Sequence, residues 1–173
     1  MILLEKKLYF AYGSNMDDEQ MNFRCPDAQV VEAVRLEGYC LAFRSNGGGQ
    51  GVATILPDQD SHVDGVLWEI SSTDERNLNL YEGFPRLYGK RTFTVANQLG
   101  KEVAAMAYVM NEPYKEVPAV PSPGYLNGIL RGCRQNGIDP GPILAAARDT
   151  IELTDREVKF PKWKKPARDH EGR

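Results

Sequence analysis

Short runs of β-branched and aromatic residues dominate the first two-thirds of the chain, separated by Gly, Pro, Asn and Asp. Runs of this kind are typical of strands joined by turns. They predict strands at Leu8–Ala11, Gln29–Leu36, Tyr39–Phe43, Val52–Leu56, Val63–Ile70, Tyr88–Val95 and Glu102–Val109. We expect loops at Gly47–Gly51 and Pro57–Asp60 and a hairpin turn at Asn97–Gly100.

Helical patterns are fewer and fall mostly late in the chain. We predict helices at Asp17–Phe23, Thr73–Tyr81, Pro123–Asn136 and Ile143–Ala147. Ser72 and Glu75 form a capping box for the second of these, and Gly83 and Gly137 are expected to end the second and third. Many short strands with helices inserted late predict an α+β fold, either a small barrel or a strongly curved sheet decorated by helices.

The length and composition suit one globular domain. The chain has 173 residues, and we assign 1–158 to a single domain and 159–173, which is polar, basic and broken by prolines, to a C-terminal tail. The net charge of -3 gives no general reason to expect a nucleic acid partner, and binding through the basic tail remains an alternative. No apolar run approaches the roughly 20 residues of a membrane helix, so we expect no membrane partner.

Cysteine and histidine content limits the chemistry further. The cysteines at positions 25, 40 and 133 form no CxxC pair, which predicts reduced thiols in a cytoplasmic protein. His62 and His170 lie in a polar turn and in the charged tail. A zinc site or a Ser-His-Asp triad would have to be built from those two, so we expect neither.

The turn Gly13-Ser14-Asn15 follows a buried strand that begins near Tyr9. Successive N–H groups in a glycine-containing turn can hold an anion or a developing oxyanion, and Ser14 and Asn15 add polar side chains. The alternative is an ordinary strand-to-helix turn in which Asn15 or Asp17 caps the helix. Neither nucleotide pattern, GxxxxGK[ST] or GxGxxG, is present.

Glu82 lies where a predicted helix ends, directly before Gly83 and among aromatic residues. A carboxylate there faces the partial negative charge of the helix end, which raises its pKa and suits it to act as a general base. The alternative is a surface glutamate paired with Arg86, Lys90 or Arg91.

Tyr125 follows the prolines of "PSPGYLNG" and lies in the first turn of a predicted helix. Its ring could pack in the core, or its hydroxyl could contact a ligand.

Taken together, these stretches resemble the gamma-glutamyl cyclotransferase family. The matching segments are "YFAYGSN" at 9–15, "GVATI" at 51–55, "DGVLWEI" at 64–70, "YEG" at 81–83 and "PSPGYLNGILRGCRQNGI" at 121–138. They are collinear over roughly Leu8 to Ile138. Met16, where Leu is common in the family, is a departure, and the segment from about Pro140 carries no matching motif.

The resemblance implies a small mixed β-barrel with flanking helices and a cavity at its mouth. It also implies an enzyme without cofactor or metal that cyclises a γ-glutamyl group to 5-oxoproline and releases the attached amine. Glu82 falls on the catalytic acid/base. The substrate-binding positions are Tyr9, Phe10, Ala11, Tyr12, Gly13, Ser14 and Asn15 of the loop, together with Tyr125.

Several alternatives stay open at this point. The donor could be a γ-glutamyl amino acid, a γ-glutamyl amine or a γ-glutamyl-capped intermediate, with the loops Arg44–Gly51 and Glu112–Val120 setting the preference. A non-catalytic binding module could also keep the same barrel. We expect a small-molecule partner and a monomer or homodimer.

Overall fold

The computed structural model describes residues 5–159. Its five strands are β1 (Lys7–Ala11), β2 (Gln29–Ser45), β3 (Gly51–Ile70), β4 (Tyr88–Ala96) and β5 (Glu102–Met110). The α-helices are α1 (Asp18–Arg24), α2 (Ser72–Tyr81), α3 (Pro123–Asn136) and α4 (Gly141–Lys159). Single 3-10 turns lie at Ser14–Met16 and Tyr114–Glu116.

The strands form a closed barrel in the order β1-β3-β2-β4-β5. Neighbouring strands are antiparallel except where β5 meets β1, which it pairs in parallel at Tyr9 and Met106. The sheet is therefore mixed, and closure brings the end of β1 into the mouth of the barrel. The predicted α+β class and mixed barrel are confirmed.

Two long strands replace four predicted short ones. β2 runs without interruption through Glu37 and Tyr39, where its register with β3 shifts and Gly38 has a φ of 84°. The loop predicted at Pro57–Asp60 is wrong, since these residues belong to β3. Residues 58–61 nevertheless fall between the paired positions Tyr39↔Pro57 and Glu37↔His62. The polar sequence thus marks an irregularity in a strand, not a break between strands.

The other predicted turns are confirmed. The glycine-rich segment joins β2 to β3, and the turn at Asn97–Gly100 joins β4 to β5. In that turn the Gly100 N–H donates to the Asn97 carbonyl, and Gly100 has a φ of 79°.

The helices lie close to their predicted positions, with two corrections. The capping box of α2 uses Ser71 and Asp74, whose side chains each accept a hydrogen bond from the other's backbone N–H at 3.1 Å. Ser72 and Glu75 do not form it, and Glu75 binds lysines of the barrel instead. The last helix runs over Gly141–Lys159, far beyond the predicted Ile143–Ala147.

The core fills the barrel and continues under the helices. Its largest fully buried side chains include Phe10, Phe43, Met16, Met21, Ile55 and Leu67. The three cysteines are unpaired, as predicted. No helix within residues 5–159 is long and apolar enough to cross a membrane. The predicted tail lies, apart from Lys159, outside the described residues.

Candidate active site

A cavity of about 240 Å³ opens at the mouth of the barrel. Seven of the predicted site residues line it: Tyr9, Tyr12, Gly13, Ser14, Asn15, Glu82 and Tyr125. They come from the end of β1, the following turn, the end of α2 and the first turn of α3. The structure thus brings together three stretches that are far apart in sequence.

The turn after β1 is held in place by Asn15, which is only 3% exposed. Its backbone carbonyl accepts a hydrogen bond from the indole N–H of Trp68 at 3.0 Å, and its side-chain amide donates to the Tyr9 hydroxyl at 3.0 Å. Asp17 occupies the N-cap position of α1, as the capping alternative expected, although its side chain makes no capping hydrogen bond, and Asn15 lies within the 3-10 turn. Asp17 is instead buried against Arg131 of α3.

Glu82 caps the C-terminus of α2, and Gly83 ends the helix with a φ of 60°, which favours glycine. The partly buried Glu82 side chain accepts a hydrogen bond from the Asn15 amide at 3.2 Å. Burial raises the pKa of Glu82 to about 7, and the positive charge of Arg24 opposes that rise. Glu82 is therefore a carboxyl that can hold or release a proton near neutral pH.

The surface alternative for Glu82 is not found among residues 5–159. Arg86 donates to the Tyr114 hydroxyl, Lys90 pairs with Glu75, and the guanidinium of Arg91 lies over Phe93. The three cations that follow Glu82 in sequence are thus engaged elsewhere, and Glu82 lines the cavity.

Two tyrosines that line the cavity bracket Ala53. The Tyr125 hydroxyl accepts a hydrogen bond from the Ala53 N–H at 2.9 Å, and the Tyr88 hydroxyl donates to the Ala53 carbonyl at 2.6 Å. Burial raises the pKa of both phenols, so they stay neutral. The neutral Tyr125 hydroxyl therefore presents a hydrogen-bond donor to the cavity, beside the Ser14 side chain.

Arg24 is the charged residue of the cavity that the sequence did not predict. It ends α1 and lines the cavity. Its Nη1 donates to Asn15 Oδ1 at 2.6 Å and to Ser14 Oγ at 3.2 Å, and its guanidinium lies 3.6 Å from the centre of the Tyr81 ring. No local sequence pattern marks this arginine, because its position depends on the packing of α1 beside α2.

Several other residues that line the cavity were not predicted as site residues, although the sequence marks some of their segments. They include Asn46, Val52, Ala53, Leu87 and Tyr108. Val52 and Ala53 belong to the "GVATI" segment. Of the two loops expected to set donor preference, the first contributes Asn46 to the cavity, and its Gly47 lies against the ring of Tyr114 from the second.

The structure does not bring the side chains of Phe10 and Ala11 to the cavity wall. Both are buried in the core, where Phe10 packs against Tyr12 and fills the space above Gly65. They support the turn from below. Within residues 5–159, no group of three or more His, Cys, Asp or Glu side chains is arranged to hold a metal ion.

Comparisons with known proteins identify the family. A family model described as "Gamma-glutamyl cyclotransferase, AIG2-like" matches residues 9–127. A gamma-glutamylcyclotransferase from Bos taurus is 35% identical over 141 residues, covering 78% of this chain and 73% of that protein. The Homo sapiens protein of the same name is 34% identical over the same shares. A solved structure named "Gamma-glutamyl cyclotransferase" superposes with a TM-score of 0.72 at 30% identity and covers 87% of both chains. This chain therefore belongs to the gamma-glutamyl cyclotransferase, AIG2-like family.

Proposed function

We propose that this enzyme cyclises the γ-glutamyl group of a small donor to 5-oxoproline, with Glu82 as the acid/base. The observation that carries this proposal is the position of Glu82, a carboxyl with a pKa of about 7 in the cavity and bonded to Asn15 of the turn. A group with a pKa near the working pH transfers protons efficiently in both directions.

The nucleophile belongs to the substrate. The α-amino nitrogen attacks the γ-carbonyl carbon, a C–N bond closes the five-membered lactam, and the original C–N bond to the attached amine breaks. The α-ammonium loses two protons in becoming the lactam N–H, and the departing amide nitrogen gains two in leaving as an ammonium. Glu82 carries these protons one at a time from the attacking nitrogen to the departing nitrogen, so atoms and charges balance. The protein therefore needs no nucleophilic Ser or Cys.

The other residues that line the cavity orient the donor and neutralise its charge. A narrow cavity that holds the donor in a folded conformer supplies effective concentration for ring closure. The Gly13–Asn15 turn can hold the glutamyl group, and the neutral Tyr125 hydroxyl can donate to a carbonyl or carboxylate oxygen.

A donor panel tests the proposal. γ-Glutamyl amino acids, γ-glutamyl amines and glutathione are each incubated with the enzyme, and 5-oxoproline and the released amine are quantified together. Equal amounts of both products from at least one donor are expected. Absence of product from every donor would favour the non-catalytic binding module or a specialised donor outside the panel.

The finer features of the assignment are also proposals. We place the enzyme in the cytoplasm, acting on a small molecule as a monomer or homodimer. We assign residues 1–158 to the catalytic domain and 159–173 to a basic C-terminal tail. The leaving-group preference is set around Asn46 and the neighbouring Tyr114.

A further inference from the structure

The guanidinium of Arg24 is fixed in the cavity and has no anionic partner among residues 5–159. Its Nη1 binds the oxygens of Ser14 and Asn15, and the ring of Tyr81 supports its face. No acidic side chain lies within ion-pair distance of Arg24 in the part of the chain that the structure describes. A guanidinium has five N–H donors, and residues 5–159 engage only those on Nη1.

The charge balance of the cavity favours an anionic ligand group. Arg24 and Glu82 are the charged side chains on its described wall. Because Glu82 has a pKa of about 7, the wall carries a net positive charge at and below neutral pH. A carboxylate that paired with Arg24 would restore neutrality.

Asn15 forms hydrogen bonds to both charged side chains, Arg24 and Glu82. Its amide oxygen accepts from Arg24 at 2.6 Å, and its amide nitrogen donates to Glu82 at 3.2 Å. One planar amide group thus links the cation and the acid/base. The α-carbon of a γ-glutamyl group likewise carries a carboxylate and an ammonium side by side.

We propose that Arg24 binds the α-carboxylate of the γ-glutamyl group and thereby directs the α-ammonium to Glu82, an inference that rests on the proposed function. The planar fork of Arg24 suits a carboxylate, and its remaining donors are available for it. Arg24 is thus a specificity-determining residue that requires a free carboxylate next to the reacting amine. A leaving-group carboxylate is separated from that amine by the ring-closing atoms, so the Asn15 link does not favour it.

Two matched donors test this assignment. A γ-glutamyl alkylamide has a single carboxylate, on the α-carbon, and its α-carboxamide analogue has none. Release of the alkylamine measures kcat/KM for both. We expect the wild type to prefer the carboxylate donor by about 10- to 100-fold, the range for a charge-assisted hydrogen-bonded contact. Arg24→Gln should abolish that preference by losing activity on the carboxylate donor alone.

Further variants separate the effect of the Arg24 charge from its structural support of the turn. Arg24→Lys keeps the charge without the planar fork and should retain part of the preference; it also serves if Arg24→Gln fails to fold. Arg76→Gln removes an exposed arginine of α2 and should leave the preference unchanged. An equal loss on both donors in Arg24→Gln would overturn the proposal, because it would indicate support of the turn only. A loss confined to γ-glutamyl amino acids would overturn it too, by assigning Arg24 to the leaving group.

Direct binding separates this inference from the proposed function. 5-Oxoproline keeps the α-carboxylate and needs no turnover, so its calorimetric affinity depends on Arg24 even if the acid/base assignment fails. We expect Arg24→Gln to weaken 5-oxoproline binding at least tenfold and Glu82→Gln to preserve it. Unchanged affinity in Arg24→Gln would contradict the proposal, whereas an inactive wild type that binds 5-oxoproline through Arg24 would contradict only the proposed function.

Discussion

The side-chain amide of Asn15 donates a hydrogen bond to Glu82 at 3.2 Å across 67 positions of sequence. It joins the turn after β1 to the C-terminus of α2, the two ends that meet at the barrel mouth. Asn15 is itself fixed by Tyr9, Trp68 and Arg24. The Glu82 carboxyl is therefore placed by a buried network of hydrogen bonds centred on Asn15.

Tyr125→Phe should affect both stability and catalysis. The hydroxyl accepts a hydrogen bond from the N–H of Ala53, which is only 4% exposed, so its removal leaves a buried donor unpaired. We expect a loss of about 1–3 kcal/mol in the free energy of unfolding, together with a lower kcat/KM. Urea unfolding and steady-state kinetics check the two effects. A stability loss with unaltered kinetics would reduce Tyr125 to a packing residue.

Ser14→Ala should have a smaller structural effect. Ser14 Oγ accepts a 3.2 Å hydrogen bond from Arg24, which keeps its shorter 2.6 Å bond to Asn15 in the variant. We expect a change below about 1 kcal/mol in unfolding free energy and a several-fold loss in turnover. Wild-type kinetics in this variant would exclude a role for the Ser14 hydroxyl in the reaction.

Asp17→Asn tests the buried connection between the turn and α3. The Asp17 side chain is fully buried; burial raises its pKa, but hydrogen bonds from Arg131 and Gln135 outweigh that effect and lower it. Stability from this pair is present above the unfolded pKa and is lost as Asp17 takes up a proton in acid. We expect a loss of about 1–3 kcal/mol at neutral pH that shrinks in acid, measured by urea unfolding.

A more exposed ion pair is the matched control for that measurement. Arg35 and Asp64 pair at 2.8 Å on the barrel surface, with side chains 48% and 21% exposed. Asp64→Asn should cost less than about 1 kcal/mol, since solvent screens such pairs. Equal losses in the two variants would contradict a special contribution from Asp17.

Glu82→Gln should stabilise the fold in alkaline conditions. Burial raises the Glu82 pKa from its ordinary value of 4.5 to about 7, so the folded state binds more protons than the unfolded state between these values. The wild type then loses stability as pH rises through that window, while the glutamine variant does not. We expect the variant to be more stable by about 2–3 kcal/mol above pH 7 and equal to the wild type below pH 4.5. A pH-independent difference would contradict the raised pKa.

Short-range sequence signals made many elements of the fold, and most of the residues that line the cavity from the predicted segments, predictable. The turn at Gly13–Asn15, the helix end at Glu82 and the prolines before Tyr125 all carry short-range signals, and the family resemblance joined them. The capping box of α2 was assigned one position too late, because Ser71 and Ser72 each have an acidic residue three positions later. Pro57–Asp60 read as a loop because a polar bulge and a turn have the same composition.

Arg24 shows what sequence could not supply. It is one of many basic residues, and nothing near it distinguishes a cavity-facing guanidinium from a solvated one. Its role depends on contacts with Ser14, Asn15 and Tyr81 that form only when α1 packs beside the end of α2. For the same reason the two tyrosines that bracket Ala53 could not be paired in advance.

The pH dependence of turnover gives a further expected outcome. If Glu82 acts as the base, kcat/KM should fall in acid as its carboxylate takes up a proton, with an apparent pKa near 7 in the free enzyme. Arg24→Gln removes the cation that opposes this rise, so the acidic limb should move to higher pH in that variant. A profile that is flat from pH 5 to 8 would contradict a titrating Glu82.

The most direct test of the account is the turnover of Glu82→Gln on the best γ-glutamyl donor, followed as 5-oxoproline and released amine. Glutamine keeps the shape and can accept the Asn15 hydrogen bond but cannot take the ammonium proton. We predict a folded variant that still binds 5-oxoproline and has lost about 10²–10⁴-fold in kcat, the range for a positioned acid/base group. A folded Glu82→Gln variant that kept most of its activity would contradict the account.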